Sequence, residues 1–327
     1  IFEILKHVTP GIICDLLVPV LTRGGRNPGR VVWSLVGGLI GAGRFAISAE
    51  IFTPVVPLYA GEYDCIRYDN RGSGRSPASW RLTSIPELAG DAVALLDALD
   101  LPSAHVYGLS MGGMVAQEMA IRFPDRVRAL VLGGTSHGGP RAVLPSPAVA
   151  SALGSRRAAP SVRARVVAGA LFTDDFRRAH PERVREGLSL LASHPASAKG
   201  LTAHWWASVY HDTWSRLPSI SAPTLVLHGA KDRLTPVANA RRLAERIPGA
   251  TLAIVEDAAH AYLLEQPEQS HRLFSDWLAA ISPVAAGPPL AGLPARTERL
   301  SRTFGLPTGA LRTARSLTGL ASSRRTR

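Results

Sequence analysis

The sequence predicts an α/β protein: a mostly parallel central sheet with flanking helices and one inserted helical region. Three observations predict it. Short β-branched or apolar runs alternate with amphipathic helical patterns, as expected when crossover helices join parallel strands. Residues 137–218 interrupt that alternation with helical, Arg-rich sequence. The chain has 327 residues, 46% of them hydrophobic, which is enough for one large packed domain with an insertion.

Residues 1–136 read as the first part of the core. Strands are expected at Val31–Val36, Tyr63–Tyr68, His105–Tyr107 and Ala129–Leu132. A helix is expected from Ile85 to Leu99, because Leu88, Ala92, Leu95, Leu96 and Leu99 share one face and Ser84 with Glu87 forms a capping box. Another follows Ser110, with Met111, Met114, Val115 and Met119 at helical spacing, and Pro124 ends it. Those methionines read as core packing. In 137–218, Pro140, Pro145, Pro147, Pro160, Pro181 and Pro195 punctuate the helical sequence, as expected of an inserted cap. Residues 219–281 return to the α/β pattern, with strands at Thr224–His228 and Thr251–Val255. In 282–327 large apolar groups thin out, which predicts a disordered basic tail.

The net charge of +12 is unevenly spread: Ser282 to Arg327 holds eight arginines against the single acid Glu298, a net +7, and leaves +5 for the rest. The tail lacks interleaved aromatics, so nucleic acid is not an expected partner. No membrane partner is expected either. The uncharged stretch from Val31 to Gly43 is short and glycine-rich, and Gly11 to Leu21 is broken by Asp15 and Pro19. Cys14 and Cys65 are too few for a disulfide framework, and no Cys/His spacing suits zinc, so neither metal nor cofactor is expected. These features predict a cytoplasmic protein, with room for a start upstream because the first residue is Ile1.

The chemistry is expected at three places. Val106-Tyr107-Gly108-Leu109-Ser110-Met111-Gly112-Gly113 is a strand running into Gly-x-Ser-x-Gly and then a helix. That spacing places the serine in a sharp turn, with small residues two before and two after so that strand and helix approach closely. A serine hydroxyl needs a base, and the base needs a partner that fixes its tautomer. Ala222 to Asp232 is a buried-type strand ending in Gly229 with an acid just beyond it; Glu256-Asp257-Ala258-Ala259-His260 follows another strand. Ser110, Asp232 and His260 thus stand in chain order after successive strands, as nucleophile, orienting acid and general base. Asp257 is the competing acid, so near His260 that it suits the turn, and His228 reads as part of its strand end.

These motifs resemble the α/β-hydrolase family. Its members carry a turn like Arg67-Tyr68-Asp69-Asn70-Arg71-Gly72-Ser73-Gly74-Arg75-Ser76, an elbow like that at Ser110, and acid and histidine segments like those above. The likeness runs from about Val31 to Ala280. It is similar to the bacterial branch of carboxylesterases, 3-oxoadipate enol-lactonase-like hydrolases and cofactor-free haloperoxidases, and the stretch from Gly133 to Val143 resembles that branch too. The resemblance implies hydrolysis of a small ester, lactone or thioester through an acyl-enzyme, with the N–H groups of Leu39 and Met111 holding the oxyanion. Relatives usually show His-Gly where this chain reads Leu35-Val36-Gly37-Gly38-Leu39-Ile40-Gly41, and residues 1–30 do not match the usual opening hairpin. An aspartate nucleophile is excluded because the elbow carries serine. The alternative is a ligand-binding protein that keeps the fold with little or no turnover.

Overall fold

The computed structural model describes residues 29–36, 52–60, 63–78, 82–147, 149–150, 160–193 and 196–281. Among the described residues six strands pair in parallel: β1 (Gly29–Val36), β2 (Tyr63–Asp69), β3 (Ala104–Ser110), β4 (Val127–Gly133), β5 (Thr224–Gly229) and β6 (Thr251–Val255), in the order β2-β1-β3-β4-β5-β6. Every residue of β3 and β5 is buried, which explains why these strands read as continuous apolar runs: helices cover both faces of the sheet. Alternate side chains feed two cores. Tyr107, Leu109, Leu225 and Leu227 join one, and Val106, Leu130, Leu132 and Val226 join the other.

Helices α1 (Val56–Ala60), α2 (Ile85–Ala98) and α3 (Met111–Arg122) belong to the first half of the sheet. The expected capping box starts α2: Ser84 N–H donates to Glu87 Oε2 (2.8 Å) while Glu87 N–H donates to Ser84 Oγ. Leu88, Ala92, Leu95, Leu96 and Leu99 are all buried, as are Met111, Met114, Val115 and Met119 of α3. The third strand is longer than the expected His105–Tyr107, because Gly108, Leu109 and Ser110 go on pairing with Ser34, Leu35 and Val36. Glycine weakens strand propensity, and here paired neighbours on both sides override it.

Between β4 and β5 lie α4 (Pro160–Leu171), α5 (Asp174–Ala179), α6 (Pro181–Ser193) and α7 (Ala198–Val209). The base of this insertion is zipped shut: Gly139 N–H donates to His211 O (2.8 Å) and Thr213 N–H donates to His137 O (2.9 Å). Its last helix seats on the turn after β2. A side chain on Gly200 would overlap the Gly72 carbonyl, and His204 Nε2 donates to Arg71 O (2.7 Å). That turn is itself fixed by the Arg71–Asp91 ion pair and by Arg75 N–H on Asp69 Oδ2 (3.0 Å). The described residues end with α8 (Ala238–Arg246), α9 (Tyr262–Glu265) and α10 (Pro267–Ile281). Phe274, Trp277 and Leu278 of α10 pack beneath the sheet with Tyr107.

Candidate active site

The strand order reverses direction at β1, since the chain passes first to β2 on one side and then back to β3 on the other. In open α/β sheets ligands bind at such a point, outside the carboxyl ends of the strands where the crossover connections diverge, which here means the ends of β1 and β3. Ser110 is the last residue of β3, paired with Val36, the last of β1. Its backbone sits at φ 56°, ψ −125°, a left-handed conformation uncommon for a residue with a side chain. Two features hold it there. A Cβ on Gly108 would overlap the Gly112 carbonyl, so only glycine lets strand and helix come this close. Thr135 Oγ1 donates to the Ser110 carbonyl (2.6 Å), tying the elbow to the segment after β4. Met111, the first residue of α3, directs its N–H out of the helix N-terminus, where no intrahelical acceptor exists.

Asp232 and His260 come together from loops after β5 and β6. His260 Nδ1 donates to Asp232 Oδ2 (2.7 Å), and both residues are buried. The other carboxylate oxygen accepts the N–H groups of Leu234 and Thr235, each at 2.8 Å. A carboxylate so surrounded cannot rotate. Burial works to raise the Asp232 pKa, but the charge of His260 and hydrogen bonds from His228 and His260 outweigh it and hold the acid below the usual carboxylate range. With Nδ1 engaged, Nε2 is the ring nitrogen left for proton transfer.

The two loops are packed backbone against backbone. A side chain on Gly229 would strike the carbonyl of Ala259, and Lys231 N–H donates to Ala258 O (2.9 Å). Tyr262, just past the histidine, is anchored by a 2.6 Å bond between its hydroxyl and that of Tyr107 in β3. The His260 ring lies against Gly134, and Gly134 adjoins Thr135, the residue bonded to Ser110. The serine and the imidazole therefore flank the same short segment after β4.

The competing acid Asp257 is exposed and pairs with Lys231 at 3.0 Å. Leu39 lies outside the described residues. Sequence reasoning missed His228: it is fully buried, its Nε2 donates to Thr235 O (2.7 Å) and lies 3.3 Å from Asp232 Oδ2, so it helps fix the acid. It is next to last in β5 and Asp232 lies just past the turn that follows, so the strand-end histidine and the acid were close in sequence, but nothing in the pattern of residues aimed one at the other. Among the aromatics of the insertion, Phe172 is buried and stacks on Phe176. Trp214 lines a surface cavity of about 550 Å³ with Pro140, Arg141, Ala142, Val143 and Arg242, which includes none of Ser110, Asp232 and His260.

The profile of the alpha/beta hydrolase fold matches residues 35–267. The chain is 31% identical to 3-oxoadipate enol-lactonase 2 of Acinetobacter baylyi over 237 residues, covering 70% of this chain and 84% of that protein. The crystal structure of the enol-lactonase from Burkholderia xenovorans LB400 superposes with a TM-score of 0.67 at 27% identity, over 79% of this chain and 94% of that one. A thermophilic esterase from Thermogutta terrifontis superposes with a TM-score of 0.64 at 26% identity, over 79% and 92%.

Proposed function

The chain belongs to the alpha/beta hydrolase family, and from that premise we propose that it is a serine hydrolase cleaving a small ester, lactone or thioester. The observation that carries this reading is the buried Asp232–His260 pair at the same sheet edge as a strained, glycine-flanked serine. Ser110 Oγ attacks the acyl carbonyl while His260 Nε2 takes its proton; Asp232 fixes the tautomer and stabilises the imidazolium. The oxyanion receives the Met111 N–H and, in this proposal, the Leu39 N–H. The imidazolium then protonates the departing alcohol, enol or thiol, leaving an acyl-Ser110 ester. Water, deprotonated by the same histidine, repeats the sequence and frees the acid.

The relatives named as enol-lactonase and esterase support this substrate class. Residues 137–218 serve in the proposal as a cap over the acyl group. A fluorophosphonate probe should label the protein once, on the peptide containing Ser110. Ser110→Ala should abolish the label and lower the hydrolysis rate by a factor on the order of 10⁶, the loss found when a comparable triad nucleophile is removed. A folded wild-type protein that takes up no probe and hydrolyses no p-nitrophenyl ester, lactone or thioester would favour a binding role.

A further inference from the structure

Glu265 is a buried carboxylate with no part in the proton transfers described above. It is 3% exposed and ends the short helix α9. Its Oε2 accepts the N–H of Ala259 (2.5 Å), the residue before His260. Its Oε1 accepts the N–H of Thr173, the N-cap of α5 in the insertion. On the other side of the histidine, Ala261 N–H donates to Leu171 O (2.8 Å). His260 therefore sits between two backbone ties that both end on the insertion, one direct and one relayed by Glu265. A third tie lies close by, where Arg183 of α6 donates to Leu264 O (2.6 Å).

Space filling alone does not call for an acid here. Burial raises the Glu265 pKa, and the Ala259 and Thr173 bonds oppose that rise. Two N–H donors converge on the site, and a carboxylate is the side chain that accepts from both without presenting a donor of its own. Leaving either N–H buried and unpaired would release the loop that holds the imidazole.

We propose that Glu265 is a positioning residue for the hydrolytic reaction, a clasp that sets His260 against the Leu171–Thr173 segment so that imidazole alignment depends on how the insertion is seated. The proposal rests on the reading of His260 as general base. Misplacing a reacting group by about 1 Å can cost on the order of 100-fold in rate, so a loosened clasp acts on chemistry before it acts on binding.

Glu265→Gln tests it, since glutamine keeps the volume but turns an N–H donor toward one of the two N–H groups. Measured well below the unfolding midpoint on a short-chain p-nitrophenyl ester, kcat should fall about 10- to 100-fold while KM stays nearly constant. The rate of fluorophosphonate labelling at Ser110 should fall in proportion. A variant with a lowered midpoint but unchanged kcat and labelling rate in its folded population would show that Glu265 is merely structural and overturn the proposal. Should the variant not fold, amide exchange in the wild-type protein decides. The Ala259 and Thr173 amides should exchange slowly, and the Ser110 adduct should slow both further; a response confined to Ala259 overturns the clasp. A wild-type protein that takes up no probe overturns the hydrolase reading and the clasp with it, whereas a labelled wild type beside an equally reactive Glu265→Gln overturns the clasp alone.

Discussion

Asp232 accepts four polar neighbours through two oxygens: the Leu234 and Thr235 N–H groups on one, the His260 and His228 rings on the other. Asp232→Asn can keep the Leu234 and Thr235 bonds on its carbonyl oxygen while its amide N–H₂ meets His260 Nδ1. The ring must then accept at Nδ1 and carry its proton on Nε2, where it can no longer take one from Ser110. Steady-state hydrolysis should therefore drop by roughly 10⁴ in kcat when measured on folded protein, with some loss of thermal stability because the amide N–H₂ also faces His228 Nε2, where the carboxylate accepted. Asp257→Asn, which removes only an exposed pair with Lys231, should leave kcat nearly unchanged. If the two variants exchange these behaviours, the acid belongs to the other loop. The positions of Ser110, Asp232 and His260 at or just past strand ends were legible in the sequence because each stands in a local motif; the triad roles proposed for them are what the labelling and mutation experiments test. His228 and Glu265 were not legible. One reads as the end of a strand and the other as an ordinary helical acid before Gln266 and Pro267; the turn after β5 aims His228 at Asp232 and Thr235, and only tertiary folding brings Thr173 to Glu265.

Elements were legible wherever periodicity and punctuation agreed, as in α2 with its capping box and in the strand at Thr251–Val255. The third strand was undercalled for the reason that makes it useful: Gly108 looks like a strand breaker, yet it is the residue that lets α3 fold back over β3. Gly108→Ala should lower stability by about 1–3 kcal/mol or more through overpacking, and should slow probe labelling because the start of α3 must shift. Gly90→Ala supplies the opposing case. That residue lies inside α2 with open space where a Cβ would be, so the substitution should raise stability by up to about 1 kcal/mol and leave labelling unchanged. Urea melts of the two variants check both signs.

Across the whole molecule the acid stability follows from imidazoles buried away from water. Burial lowers the pKa of His105 to about 4 and of His211 to about 3, and it lowers that of His204 as well. Above the ordinary value of 6.5 both folded and unfolded chains hold these rings neutral, so they leave stability independent of pH. Below it the unfolded chain takes up protons that the folded one refuses, and stability falls by up to about 1.4 kcal/mol per pH unit for each ring until its folded value is reached. Asp232, whose pKa is depressed, adds stability that is present above the normal carboxylate range and lost beneath it; Glu265, raised by burial, works in the opposite sense. The urea midpoint should be flat between about pH 7 and 9 and decline steadily from 6.5 toward 4, with a shallower decline in His105→Gln. A midpoint that rises over that interval would contradict the assignment. The contact between Gly72 and Gly200 carries a lesson for protein engineers. Because neither position tolerates a Cβ while the other stays where it is, a chimaera that imports a foreign insertion must exchange the two glycines as one cassette, even though β3, β4 and the five helices α2 to α6 separate them along the chain.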